Sequence, residues 1–520
     1  MRGGFYEIMS LNEKVAVFNE VVKKIKAGET KYVEKQHKEG KLTAGERIDL
    51  LFDKGTFVEI GMFAQHQCHD FGMEKNRPYR DGVITGYGKI NGKTVYAYAQ
   101  DFTIMGGSVG FTHSKKICET ISAARKNRVP VIGLIDSAGA RIQEGSGAYA
   151  AIFYENIISS GVIPQISVIM GNCAGGGVYS PALTDFIFMV EGTSIMFITG
   201  PTVLKGATGE EITSEELGGA KAHSTISGVC DFVAKNDEDC IEMVKTLISY
   251  LPSSFLEKPQ CVDTGDPPDR EEPELLEIVP VDSKTPFDMK KVISLIVDNK
   301  DFFEVKKNFA PSIITGFARL GGYVVGICAN QPSVYAGVID CNVSDKAARF
   351  YRTCDCYNIP IITLVDVPGY MPGVNEEYKG IIRHGAKMLY GYTEATVPKI
   401  TCILRKAYGG SYAAMGCKAM GPDIIIAWPT SEVAIMGAES AVRVIYKKDL
   451  SEAEDKSAFF NQKVEAYRET FSTPFYYASK LEVNVIINPL ETRKQLIAAL
   501  ESLKNKKEEK IERKHGNIPL

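Results

Sequence analysis

The sequence predicts an α/β protein built from two domains of one fold. Three observations carry this: the chain repeats itself, its apolar runs alternate between strand and helix periodicity, and each half holds the same pair of glycine-rich turns. Gly82–Asp101 reads GVITGYGKINGKTVYAYAQD, and Ser312–Gln331 reads SIITGFARLGGYVVGICANQ. Ile84, Thr85, Gly86, Gly92, Val95 and Ala99 recur as Ile314, Thr315, Gly316, Gly322, Val325 and Ala329, a shift of 230 residues (316 − 86). The same shift carries VPVIGLIDSAG (Val129–Gly139) onto IPIITLVDVPG (Ile359–Gly369). Further along the shift becomes 234 (409 − 175), which sets Gly175–Gly177 against Gly409–Ser411. A period this long means two domains rather than a solenoid, whose units run roughly 20–50 residues.

The elements follow in order. Leu11–Ala27 has apolar residues at helical spacing, and Arg47–Phe52 reads as a second short helix; both are expected on the outside of the first domain. Alternating and apolar runs mark strands at Val83–Ile90, Lys93–Ala99, Val131–Ile135, Ile166–Met170 and Ile195–Ile198. Helix-like sequence lies between them at Ser114–Arg125 and Ala148–Ser159. This alternation implies covered, layered sheets. Glu257–Pro286, with six prolines and several acids, reads as a linker. The expected division is therefore 1–260, a linker at 261–286, and 287–520. The second half repeats the pattern with strands at Ile313–Ala318, Val324–Ala329, Ile361–Val365 and Lys399–Leu404, and helices over Asp345–Cys356 and Ile381–Tyr392. The Lys- and Glu-rich tail, Glu501–Lys514, reads as a solvated helix or a frayed end.

Composition narrows the function. With 520 residues, 44% hydrophobic and 24% charged, the chain is an ordinary globular protein with room for two cores. A net charge of −4 offers no basic field for nucleic acid. No apolar run approaches the ~18 residues of a membrane span, and the opening MRGGFYEIMSLNEK lacks the apolar core of a signal peptide. No membrane insertion and a cytoplasmic location are expected. Twelve cysteines include no C-x-x-C pair, so they read as buried, reduced thiols and not as metal ligands.

The chemistry points to the turns. In the first half one strand ends in Asp136-Ser137-Ala138-Gly139-Ala140-Arg141 and another in Gly171-Asn172-Cys173-Ala174-Gly175-Gly176-Gly177. Glycine lets a backbone N–H approach a ligand oxygen, and a helix starting there adds free N–H groups. Two converging amides make an oxyanion hole. The second half offers Asp366-Val367-Pro368-Gly369-Tyr370 and Arg405-Lys406-Ala407-Tyr408-Gly409-Gly410-Ser411-Tyr412, a second hole of the same build. Two holes suit a reaction that develops negative charge on two oxygens. Rival chemistries lack their parts: the hydrolase G-x-S-x-G elbow, the phosphate-binding G-x-x-x-x-G-K-[ST] loop and the H-E-x-x-H zinc helix are all missing. His113, His223 and His384 read as structural or surface residues, and Glu144, just after the first turn, remains a candidate for hydration chemistry.

These stretches resemble the carboxyltransferase component of biotin-dependent acyl-CoA carboxylases. The likeness covers nearly the whole chain and rests on DSAGARIQEG (Asp136–Gly145), MGNCAGGGVYSPALTDF (Met170–Phe186), ELGGAKAH (Glu216–His223), ARFYRTCDCYNIPIITLVDVPGYMPG (Ala348–Gly373), GIIRHGAKMLY (Gly380–Tyr390), EATVPKITCILRKAYGGSY (Glu394–Tyr412) and AWPTSEVAIMGAE (Ala427–Glu439). The nearest groups are the propionyl-CoA carboxylase β chain, methylmalonyl-CoA carboxyltransferase and the methylmalonyl-CoA decarboxylase α chain.

The resemblance implies two crotonase-like ββα-superhelix domains in a hexamer, the first binding acyl-CoA and the second receiving biotin. It maps an enolate hole to Ala138, Gly139 and Ala140 with Gly175 and Gly176. A biotin-carbonyl hole maps to Gly410 and Ser411, beside Gly409, Tyr412 and Ala413. Biotin supplies the base, so the protein contributes orientation and electrostatics. No Met-Lys-Met biotinylation site occurs, so the implied partners are a separate biotin carboxyl carrier protein and either a biotin carboxylase or a membrane decarboxylase subunit. The small Ala413 implies room beyond an acetyl group, with propionyl-CoA and methylmalonyl-CoA as the favoured pair. Carboxylation, transcarboxylation and sodium-coupled decarboxylation share this half-reaction, so direction is left to the partners. A biotin-independent enoyl-CoA hydratase or isomerase, with Glu144 essential, and a non-catalytic scaffold are the alternatives.

Overall fold

A computed structural model describes residues 9–509 and 511–520. The chain forms two compact units. One runs to His223 and takes in Val233–Thr246; the other comprises Ser224–Phe232 and Leu247–Leu520.

Each unit is centred on an eight-stranded sheet. The first contains β1 (Val58–Ile60), β2 (Val83–Ile90), β3 (Lys93–Gln100), β4 (Val131–Ser137), β5 (Gln165–Ala174), β6 (Phe186–Val190), β7 (Ile195–Phe197) and β8 (Phe232–Ala234). Its order is β1-β2-β3-β4-β5-β6-β8, with β7 pairing the end of β5. β1, β2 and β3 pair antiparallel, and β3 to β6 run parallel. The second contains β9 (Phe302–Val305), β10 (Ile313–Leu320), β11 (Tyr323–Asn330), β12 (Ile361–Val367), β13 (Lys399–Tyr408), β14 (Ile424–Ala427), β15 (Glu432–Ala434) and β16 (Val485–Ile486). Its order, β16-β14-β13-β12-β11-β10-β9 with β15 on β13, repeats the first. β4 and β12 are buried at every position, as parallel strands covered on both faces must be.

The repeat extends to single hydrogen bonds. Lys116 and Lys346, 230 residues apart, both lie buried on the helix that follows the antiparallel pair, Phe111–Asn127 and Cys341–Cys356. Lys116 Nζ donates to the Arg80 and Val83 carbonyls at 2.9 and 2.5 Å. Lys346 Nζ donates to the carbonyls of Phe309 and Ile313, both at 2.8 Å, and of Lys306 at 3.0 Å. Each ammonium thus ties the loop entering β2 or β10 to its helix. Burial lowers these ammonium groups, Lys116 to about 8 and Lys346 to about 7.

Two expectations change. The proline-rich segment does not hang between domains: Leu275, Val279 and Phe287 sit in the core of the second unit. Arg270 donates to the Leu295 and Val297 carbonyls, both at 3.0 Å. Prolines leave it only a short 3-10 turn, Pro273–Leu276, without removing its apolar anchors. Nor is the tail frayed. The last helix, Thr492–Leu503, ends within the tail's first residues, and beyond it Lys506 Nζ pairs with Asp423 at 2.9 Å. Arg513 pairs with Glu394.

Candidate active site

The two turns of each half meet where parallel strands end. β4 and β5 run in register until Ile135↔Ile169, then resume at Ser137↔Cys173, so β5 carries two extra residues. β12 and β13 do the same between Val365↔Ile403 and Val367↔Ala407. The bulge re-aims the strand end, its usual use beside a site. A buried carboxylate anchors each one. Asp136 Oδ1 accepts the Asn172 amide at 3.2 Å, and Asp366 Oδ1 accepts the Lys406 amide at 3.0 Å. These two aspartates had been read only as strand-end markers. The signal for their anchoring role was present in the matched Asp-x-x-Gly positions, but their partners lie too far away in sequence to be foreseen.

In the first half the turns are adjacent, since a Cβ on Gly139 would stand 3.4 Å from the Ala174 carbonyl oxygen. Val109 bridges the first turn, donating to the Gly139 carbonyl at 2.9 Å while its own carbonyl accepts from Arg141 at 3.0 Å. Ile339 repeats this in the second half, with Gly369 at 3.2 Å and Met371 at 2.8 Å.

That arrangement decides which amides are open. The Ala138 amide donates to Gly106 at 2.8 Å, and the Gly139 amide to Ser137 Oγ at 3.1 Å. Both are therefore spent on the turn itself, which corrects the expectation that they face a ligand. Ala140 is exposed, and its amide meets no acceptor among the described residues. Pro368, standing where Ala138 stands in the first half, has no N–H at all. Tyr370 takes the place of Ala140. Gly175 (φ 64°) and Gly409 (φ 54°) hold left-handed conformations at matched positions, where a Cβ would be strained. Gly176 and Gly410 follow as exposed residues with amides at the start of a helical turn.

The second half brings its turns together through Tyr370, whose Cε2 lies 3.9 Å from where a Gly410 Cβ would be. The Tyr370 hydroxyl is buried without a partner, and burial pushes it up to about 12. Ser411 is buried and its hydroxyl donates to the Tyr408 carbonyl at 2.7 Å, capping its own turn. Tyr412 is buried and, with Gly409, Ile435 and Tyr477, lines a cleft of about 320 Å³. Ala413, half-buried, lies on the same short helix, Gly409–Ala414.

A larger cleft of about 570 Å³ opens on the first unit, lined by Lys24, Tyr32, Lys35, Gln36, Met105 and Gly106. It reaches the first turn, because a Cβ on Gly106 would stand 3.4 Å from Ala138 Cβ. Lys24 and Lys35 outweigh the one acid on its lining, Glu29, and so favour an anionic ligand, and Tyr32 offers a ring face.

The remaining candidates have structural work. Glu144 pairs with Arg141 at 2.7 Å and accepts the Phe111 amide at 2.8 Å, which caps a helix. His113 is fully buried; Nδ1–H donates to the Asp81 carbonyl at 2.9 Å and Nε2 accepts from Gln100 at 3.2 Å. Burial drops it to about 3, so it stays neutral. His223 contacts the Met196 carbonyl at 2.6 Å, and His384 pairs with Asp345 at 2.9 Å.

Known proteins resemble the chain over nearly its whole length. Residues 35–518 match the carboxyl transferase domain. Methylmalonyl-CoA decarboxylase subunit alpha of Veillonella parvula is 54% identical over 98% of this chain and 100% of its own length. The mitochondrial propionyl-CoA carboxylase beta chain of Homo sapiens is 50% identical over 98% and 94%. A crystal structure of transcarboxylase 12S, described as a hexamer with methylmalonyl-coenzyme A and methylmalonic acid bound, superposes with a TM-score of 0.97 at 47% identity and covers all of both chains.

Proposed function

The chain belongs to the carboxyl transferase domain family, and on that premise we propose that it moves CO2 between biotin on a separate carrier protein and a short-chain acyl-CoA. Propionyl-CoA and methylmalonyl-CoA are the favoured pair. The observation that carries the reading is the duplicated turn pair, with an open amide at the same place in each half.

The residues fit a division of labour. In the first unit, Lys24 and Lys35 suit the phosphates of a CoA ester lying in the cleft that ends at Gly106. Its thioester oxygen would then meet the Ala140 and Gly176 amides. Amides that are already oriented stabilise an oxyanion without reorganising, each contributing roughly 2.7–4 kcal/mol to lowering the barrier. Removing the α-proton puts charge on that oxygen, and the enolate then attacks CO2 at carbon. In the second unit, Tyr370, Gly410 and Ser411 suit a urea carbonyl, since Gly410 is exposed and leaves open space at the start of its helical turn. Bound biotin supplies the CO2 and the nitrogen that accepts the α-proton. That accounts for turns that carry no histidine and whose carboxylates, Asp136 and Asp366, are buried and paired. Glu144, held by Arg141 and a helix end, does not serve a hydratase.

A second reading gives direction. The identity to the Veillonella decarboxylase subunit over its full length favours the same transfer run in reverse, within a decarboxylase that has a membrane subunit as partner. Homo-oligomers, most simply hexamers, are expected in either case. The test is to incubate the purified chain with free biotin and either methylmalonyl-CoA or malonyl-CoA, and to follow loss of the thioester carboxylate. Biotin-dependent loss, faster with methylmalonyl-CoA, is expected. No biotin-dependent loss with either ester would discard the reading. Co-purification with a membrane subunit or with a biotin carboxylase then distinguishes direction.

A further inference from the structure

The two anchoring aspartates sit at matched bulges, yet their counter-charges come from different places. Asp366 is held by its neighbouring strand: Arg405 Nη2 lies 2.8 Å from Oδ2, and Arg405 Nη1 is fixed by the Pro280, Asp282 and Thr285 carbonyls at 3.2, 2.9 and 2.8 Å. The position matching Arg405 in the first half is Gly171 (405 − 234). A Cβ there would fall 2.0 Å from Asp136 Oδ1, so the carboxylate occupies that space. Asp136 instead draws its partners from the N-terminal segment. Arg47 Nη1 and Lys41 Nζ both lie 3.4 Å from Oδ2, and Gln36 Nε2 donates to Oδ2 at 3.2 Å. Arg47 is itself held by Asp237 at 2.8 Å and by the Met170 carbonyl at 2.7 Å.

Gln36 alone of these three also lines the 570 Å³ cleft. We propose that Gln36 is a positioning residue that links occupation of this cleft by the acyl-CoA to the first glycine-rich turn, through the Asp136 carboxylate. The inference rests on the cleft being the acyl-CoA site. A ligand packed on Gln36 confines its amide against Oδ2. Oδ1 of the same carboxylate accepts the Asn172 amide, three residues before Gly175. The carboxylate is a rigid two-oxygen coupler, so holding one oxygen orients the other. In the second half both counter-charges of Asp366, Arg405 at 2.8 Å and Lys406 at 3.3 Å, come from β13 itself, and neither lines the 570 Å³ cleft. The first turn is therefore tuned by its substrate, whereas the second is preset.

The test measures hydrogen exchange in the segment Met170–Cys173 of the full chain, with and without propionyl-CoA, alongside calorimetric binding. In the parent protein, propionyl-CoA should slow exchange of the Asn172 amide about tenfold. Gln36→Met, which keeps volume but removes the donor, should bind propionyl-CoA within twofold of the parent and lose that slowing. Its kcat for biotin-dependent decarboxylation of methylmalonyl-CoA should fall about tenfold with KM little changed. Gln36→Leu, also apolar but branched and without a donor, reports the same loss should Gln36→Met fail to fold. Either variant retaining full ligand-induced protection at Asn172 would overturn the proposal. A parent chain that binds no propionyl-CoA would remove the cleft assignment first, and this inference with it.

Discussion

Gly176 and Gly171 lie five residues apart and separate chemistry from folding. A Cβ on Gly176 meets nothing within 4 Å, and its φ is not left-handed. Gly176→Val should therefore fold with an unchanged melting temperature, while its side chain crowds the open amide and lowers kcat by at least ~100-fold. Gly171→Ala drives a methyl into Asp136 and should fail differently, losing thermal stability and activity together. Unchanged kcat in Gly176→Val would show that this amide faces no reacting oxygen. His113 adds a pH signature. It titrates near 3 when folded, against an ordinary value of 6.5. Between those values the unfolded chain takes up a proton that the folded chain refuses. The stability His113 contributes above pH 6.5 is thus lost on acidification, by about 1.4 kcal/mol per pH unit at most. Urea midpoints measured from pH 7 to pH 4 should fall less steeply for His113→Gln than for the parent. At this scale the sequence showed that the turns are paired but not which of their amides are spent within the fold. Nothing in the residue string reveals that Ser137 Oγ captures the Gly139 amide or that Gly106 captures Ala138, because both acceptors are placed by tertiary contacts.

Helices and strands follow the same logic of local signal against distant partner. The buried runs in β2, β3, β4, β5 and β12 were legible because apolar β-branched residues cluster there, and the helix Leu11–Ala27 was legible from its spacing alone, its Ser10 cap being seen only in the structure. The helix Thr30–Lys38 was missed, because its polar sequence has little periodic apolar content. It is the element that delivers Gln36. Short edge strands such as β1 and β9 were also missed; three or four residues are too few for alternation to show. The matched lysines yield a prediction at this scale. Lys346→Met would remove the ammonium that the carbonyls of Phe309 and Ile313 accept from at 2.8 Å. It should cost on the order of 3 kcal/mol, read as a lower urea midpoint. Equal stability of the variant would show that water replaces the ammonium at no loss.

For the whole molecule, the duplication was the strongest signal in the sequence. It survives in strand order, in bulge position and in the paired bridges made by Val109 and Ile339. Assembly was legible only by resemblance, since a closed oligomer leaves no periodic trace in one chain. Exposed apolar side chains near the turns, including Ile142, Tyr378, Ile382 and Ile435 at 84, 86, 79 and 81% exposure, form the kind of surface that association covers. Light scattering should find roughly 340 kDa, six chains of 57.0 kDa. Replacing Ile382 and Ile435 together by Asp should shift the mass toward smaller species, and an unchanged mass would place the contacts elsewhere.

The displaced counter-charge has one more consequence. A gene doubling that leaves one copy self-sufficient and the other reliant on a distant arm creates unequal fragility. Damage, truncation or crowding at the leading fifty residues would blind one catalytic station and spare its twin. On the proposed division of roles, such a protein keeps its biotin-side pocket after its thioester side has failed.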